Sequence, residues 1–245
     1  MPFSFGFGKG QLFSKGNVAA PQLSIITENL KLHIDAANPS SYPGSGTAIT
    51  DLSGNGLHCS LINGPTYSNG AFVLDGTNDH IATNSNVDIR GGFTLELWMS
   101  SSLTSAGWLN MFGHGTLESN QGLHVRIYPD AVGGYAFNMY FNDANASSVG
   151  ATFPQNVFYH IVATYSGSTY AKKLYVNGVN IPLTGTQNAY TNTGTTPLRF
   201  GAIMGTGMFS GWTHPGKIAQ ARYYSAVLTD AQVLNNYDAT KNTFA

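Results

Sequence analysis

Acidic and imidazole side chains are sparse in this chain, so each can be weighed for the chemistry its neighbours permit. Glu96, in FTLELWM (residues 93–99), is the best single candidate for a catalytic acid. Glycoside hydrolysis needs two carboxylates flanking one bond, roughly 5–10 Å apart. A strand can supply such a pair from one face at alternate positions, and here Thr94 and Trp98 hold those places. Glu96 is therefore expected on the solvent-facing side of a half-buried strand. His114, His124 and His160 come from separate segments with no carboxylate nearby in sequence to orient them. That pattern reads as surface or hydrogen-bonded structural histidines. No serine has glycine two residues before and two after it, and HExxH is absent, so two common hydrolase signatures fail. GWTHPGK (211–217) has the spacing of a phosphate-binding loop, yet Ile218 stands where a magnesium-binding Ser or Thr belongs. The chain is expected not to be an enzyme.

Binding chemistry is better represented. LDGTNDHIAT (74–83) places Asp75, Asn78 and Asp79 in a tight turn after a strand. Hard oxygen ligands at that spacing suit calcium, with carbonyls completing the shell. The same residues are also ordinary turn formers whose side chains bond their own backbone. No other cofactor is expected. Trp98, Trp108 and Trp212 could stack on sugar rings or fill the core and rim of a β-structure; Trp108 and Trp212 are the glycan-binding candidates.

Composition narrows the function classes. Charged residues are only 9% of the 245, the formal net charge is −1, and no basic block occurs, which argues against a nucleic-acid partner. The single Cys59 excludes an internal disulfide and a cysteine-based zinc site. No apolar run approaches the ~20 residues that a membrane-spanning helix needs. Lys9 and Lys15 interrupt the start of the chain, so no secretory signal is expected.

The elements that must position these groups are mostly strands. FVLD (72–75), FTLELWM (93–99), FNMYF (137–141) and FYHIVATY (158–165) are extended segments. In the last three, Phe93, Leu95, Leu97 and Met99 share one face, as do Phe137, Met139 and Phe141, and Tyr159, Ile161, Ala163 and Tyr165. KKLYVNGVNIPL reads as a hairpin about Asn177-Gly178. LRFGAI (198–203) and KIAQARYY (217–224) complete the series. One helix is expected, over LTDAQVLNNYDATK (228–241), with Thr229 and Gln232 as a capping box and Val233, Leu234 and Tyr237 as its apolar face. The fold class is all-β: a sandwich with one short C-terminal helix.

Residues 1–24 read as an extended arm before a sandwich over 25–245. Phe3, Phe5 and Phe7 recur at every second position and Phe13 follows. In an extended chain the first three rings lie on one side, a comb suited to strand addition on a neighbouring subunit.

The order LHIDAANPSSYPGSGTAITDLSGNGLHCSLINGPTY, FVLDGTNDHIAT, FTLELWM, FYHIVATYSGSTYAKKLYVNG, LRFGAI and GKIAQARYYSAVLTDAQVLNNYDATK resembles the concanavalin A-like, laminin-G-like domains over residues 28–241. The YPGSGT…DLSGNG…GPTY opening is similar to the version found in structural proteins of tailed bacteriophages. The resemblance implies a two-sheet antiparallel jelly-roll sandwich that binds or scaffolds rather than catalyses. In calcium-binding members, an acidic residue of the loop equivalent to DGTND is a ligand, which falls here on Asp79 or Asp75. His80 stands where the family often has Tyr, and Phe158-Tyr159 where it often has Trp-Tyr. The expected function is a virion structural protein, a capsid decoration or tail- or fibre-associated subunit. It would be made in the host cytoplasm, docked to other virion proteins through the arm, and homo-oligomeric. The alternative is a carbohydrate-binding module or adhesin for a host surface glycan, with or without calcium.

Overall fold

The computed structural model describes residues 23–102, 109–116, 118–129, 135–141, 145–147, 154–185, 188–192, 196–203 and 213–244. The arm with Phe3, Phe5, Phe7 and Phe13, and the tryptophans Trp108 and Trp212, lie outside them.

Two antiparallel sheets form the sandwich. The first runs β14 (Val179–Ile181), β13 (Lys172–Val176), β12 (Tyr159–Ser166), β7 (Gly92–Ser101), β17 (Pro215–Tyr224), β5 (Ala71–Asp75) and β4 (Thr66–Ser68), and β1 (Leu30–Asp35) also pairs with β17. The second runs β15 (Thr184–Gly185), β11 (Asn145–Ser147), β10 (Tyr135–Phe141), β9 (Gly122–Pro129), β8 (Leu109–Gly115), β16 (Pro197–Phe200), β6 (His80–Asn86), β3 (Cys59–Ile62) and β2 (Ala48–Ile49). Neighbours are far apart in sequence: β7 lies between β12 and β17, pairing Glu96 with Val162 on one side and with Arg222 on the other.

The alternation expected from sequence decides what fills the space between the sheets. Phe93, Leu95 and Leu97 of β7 join Ile161, Ala163 and Tyr165 of β12, with Phe137, Met139 and Phe141 of β10 in the same core. Phe93, Phe137 and Phe141 are wholly buried, and each contributes roughly 1.5–3 kcal/mol through lost apolar exposure. Cys59 is buried in this core, and burial pushes its thiol pKa up, which keeps it unreactive.

The DLSGNG motif is a structural clasp. The Asp51 carboxylate accepts from the amides of His33 (2.9 Å), Ser53 (2.8 Å) and Leu57 (3.1 Å), and from the Ser53 hydroxyl (2.7 Å). It therefore ties its own turn to β1.

A further layer covers the outside of the first sheet. The hairpin β13–β14 turns at Asn177 and Gly178, with φ of +49° and +78°. Both angles are left-handed, as a type I′ turn demands. A Cβ on Gly178 would stand 2.9 Å from Leu234 Cδ1, so glycine there also admits helix α1 (Asp230–Thr240). The capping box is present as expected: the Thr229 side chain accepts from the Gln232 amide, and the Gln232 side chain accepts from the Thr229 amide. The helix face differs from expectation. Leu234 is 45% exposed, and the buried positions are Val233, Asn236 and Thr240. A polar residue can take the buried face because the sheet beneath it is polar too.

Candidate functional site

Beneath α1 lies a buried ionic cluster. Glu96 and Arg222 are each 1% exposed and paired through Oε1 and Nη1. Glu96 Oε1 also lies 2.9 Å from His160 Nε2, and Oε2 accepts from Asn236 Nδ2 at 2.7 Å. The second guanidinium nitrogen of Arg222 donates to Gln220 Oε1. Burial alone would raise the Glu96 pKa, but the charges of Arg222 and His160 and the bonds from His160 and Asn236 hold it at about 2. The solvent-facing position expected for Glu96 is thus corrected. It does point away from the sandwich core, but a helix from far along the chain roofs it. His160, read as structural, has the carboxylate partner that local sequence did not reveal. Trp98 is buried beside them, donating from Nε1 to Thr240 Oγ1 at 2.8 Å and stacking on Phe244 at 4.5 Å between centroids. These groups are committed to one another and leave no carboxylate oxygen for a substrate.

In the Asp75 turn, Oδ1 accepts from the amides of Thr77 (2.8 Å), Asn78 (3.2 Å) and Asp79 (3.3 Å). Burial works the other way, but these bonds hold the Asp75 carboxyl below its usual range. Asp79 Oδ2 in turn accepts from the Asp75 amide at 3.2 Å. The structure brings Asp75, Asn78 and Asp79 together as a self-bonded turn. His114 is a buried bridge: its Nε2 is 2.7 Å from the Val87 carbonyl and its Nδ1 is 2.7 Å from the Tyr190 hydroxyl. Burial takes its pKa down to about 4.

The second sheet presents a different surface. Leu123, Val125 and Ile127 of β9 enter the core, so His124, Arg126 and Tyr128 project from the opposite face. On β10, Phe137, Met139 and Phe141 turn inward and leave Asn138 and Tyr140 outside. Register aligns these outer residues: Tyr140 opposes His124, Asn138 opposes Arg126, Gly113 opposes His124, and Arg199 opposes both Gly113 and Ala82. Arg126 Nε donates to Asn138 Oδ1 at 3.1 Å, and its guanidinium lies 5.2 Å from the centroid of Tyr140. His124 meets the same ring at 5.5 Å. Tyr128, Tyr140, Arg126 and Arg199 are half-buried, each with part of its surface accessible. Rings beside planar hydrogen-bonding groups are what saccharides need, an apolar face to stack on and donors for the hydroxyls. Sequence reading weighed only His124 of this set, as a surface or structural histidine, although the alternation of GLHVRIYP already separates His124, Arg126 and Tyr128 from the core residues. The strands that stand beside β9 were not legible.

A family model described as the concanavalin A-like lectin/glucanases superfamily matches residues 75–234, more than half of the chain. No curated protein matches. Among solved structures, Trypanosoma rangeli sialidase in complex with sialic acid superposes with a TM-score of 0.63 at 13% identity, over 89% of this chain and 34% of that one. Domain 4 of AbnA, a GH43 extracellular arabinanase from Geobacillus stearothermophilus, in complex with arabinotriose, gives 0.63 at 17% identity, over 85% and 98%. The receptor binding domain of botulinum neurotoxin C/D mosaic serotype gives 0.61 at 16% identity, over 87% and 52%. The chain spans about a third of the sialidase's length. At these identities the likeness is one of fold.

Proposed function

The chain belongs to the concanavalin A-like lectin/glucanases superfamily, and from that premise we propose a non-enzymatic, lectin-like domain that binds carbohydrate on the outer face of its second sheet. The observation that carries this reading is the set of half-buried Tyr140, Tyr128 and Arg126, aligned by the β9–β10 register and backed by the buried His124 and Asn138. The arabinotriose held by the arabinanase domain supports it by analogy. The absence of catalysis is supported by two facts. Glu96 is bonded on both oxygens, and none of the strands assigned to the second sheet contains Asp or Glu, so a paired-acid hydrolase has no obvious seat there. The test is thermal denaturation across a panel of oligosaccharides. A ligand that binds only the folded state adds about 2.7 kcal/mol at one hundred times its Kd. At least one saccharide is expected to raise Tm, and Tyr140→Ala to abolish the rise. A flat panel overturns the reading.

A second reading concerns where the domain sits. The phenylalanine comb of the first thirteen residues and the YPGSGT…DLSGNG opening favour a subunit of a tailed-phage particle, anchored by the arm with the sandwich displayed outward. Ser24 and Ile26 are bonded to Asn235 and Asn236 of α1, so removing residues 1–22 leaves those contacts in place. The truncated chain is expected to fold with an unchanged Tm and to fail to enter particles in a complementation assay. Normal incorporation would refute the anchoring role.

A further inference from the structure

We propose that the carbohydrate site on the second sheet takes acidic glycans, with the Arg199 guanidinium receiving a sugar carboxylate. The inference rests on the lectin reading above and names its ligand class. Arg199 projects from β16 between Ala82 of β6 and Gly113 of β8, which oppose it in register. One neighbour has a methyl group and the other no side chain, so neither crowds the guanidinium. Arg199 takes part in none of the ion pairs among the described residues. Its Nη1 is buried and has no hydrogen-bond partner among the described residues. A buried charged donor left unsatisfied is costly, and native proteins keep one where an outside acceptor completes it. A carboxylate fits because its two oxygens match the parallel N–H groups of a guanidinium fork.

The surroundings have one sign. The second-sheet strands carry Arg126 and Arg199 and no Asp or Glu. Arg126 lies two strands across and two residues along from Arg199, about 12 Å away at ordinary sheet spacings. That separation calls for an oligosaccharide rather than a single sugar. Tyr140, on β10 beyond Arg126, places a ring at the far end of this span from Arg199, beside Arg126 and His124. Burial lowers the pKa of both arginines, and after burial the Arg199 charge is among the causes that lower His80 and His114.

The experiment is isothermal titration of the full chain with trigalacturonate, a hyaluronan tetrasaccharide and 3′-sialyllactose, each beside its carboxyl methyl ester. Arabinotriose serves as a neutral arm and a heparin tetrasaccharide as a sulfated one. At least one carboxylate form is expected to bind at least tenfold tighter than its ester. Arg199→Gln should erase that preference, and Arg199→Lys should keep part of it. Equal affinity for acid and ester overturns the inference, as does an undiminished preference in Arg199→Gln. Because the acid–ester comparison uses the unaltered protein, it decides the matter even if the variants fail to fold. Binding of the sulfated arm alone overturns the carboxylate assignment. If neutral saccharides bind and acids bind no tighter, the inference falls and the lectin reading stands; if no saccharide binds, both fall.

Discussion

Acidification from pH 6.5 to pH 4 is expected to remove several kcal/mol of stability, through histidines that the fold holds neutral. His114 and His214 are buried, and burial is the first cause that takes each pKa down to about 4. His33, half-buried on β1, is lowered to about 4 by burial and then by the charge of Arg222. In the unfolded chain all three bind a proton near pH 6.5. Their folded pKa values lie below the unfolded one, so between those values the unfolded state holds more protons and stability is lost as pH falls. The contribution is complete above pH 6.5 and spent below about pH 4. It is on the order of 2–3 kcal/mol each for His114 and His214, at 1.36 kcal/mol per pKa unit, with a smaller share from His33. That total approaches the whole stability of an ordinary domain. Urea midpoints measured at pH 7, 6, 5 and 4.5 should therefore drop steadily. His214→Gln, which can still donate toward the Ser100 carbonyl that His214 Nε2 meets at 2.8 Å, should flatten the slope by about one proton. A constant midpoint over that range would refute the account.

The second large effect belongs to the cluster beneath the helix. Arg222→Met is expected to destabilise the domain by about 3–5 kcal/mol, because it strands the buried Glu96 charge. Glu96→Leu should cost a comparable amount by leaving Arg222 without its counter-ion. The double variant Glu96→Leu with Arg222→Met should recover much of the loss, since an apolar pair of similar volume also avoids desolvating two charges. The measurement is a double-mutant cycle in urea, where additive losses would show that the two residues do not act as a pair. The pH behaviour separates this cluster from the histidines. Glu96 has a folded pKa of about 2, below its unfolded value, so its contribution is present above about pH 4.3 and is lost as pH falls toward 2. In Arg222→Met that acid-labile component should shrink. The cluster lies outside the first sheet and the proposed glycan face outside the second, so saccharide binding should survive in the double variant.

These cases show which parts of the molecule could be read along the chain. Thr229 with Gln232, Asn177 with Gly178, and Asp75 with the amides of Thr77 and Asn78 were legible because each partner sits within a few residues, where backbone geometry leaves little choice. The alternation of β7, β10 and β12 was legible because a strand sends successive side chains to opposite faces. Glu96 was misread for the same reason. Parity gives the face on which a side chain stands, but it does not tell whether another layer covers that face. The cover is Asn236, 140 residues later. Once the helix was read as Val233, Leu234 and Tyr237, nothing local indicated that its buried side would be polar.

By itself the sequence determined the all-β class, the faces of the strands, the capped terminal helix and the turns, all of which follow from interactions between near neighbours and from period-two burial. The tertiary structure alone decided that Glu96, His160, Arg222 and Asn236 meet as one buried cluster. It also decided that Arg199 of β16 shares a face with His124 and Arg126 of β9 across Gly113. Both arrangements depend on the order of strands within a sheet. That order is set by how distant segments bury a common core, a property of the whole chain that no short stretch of it carries.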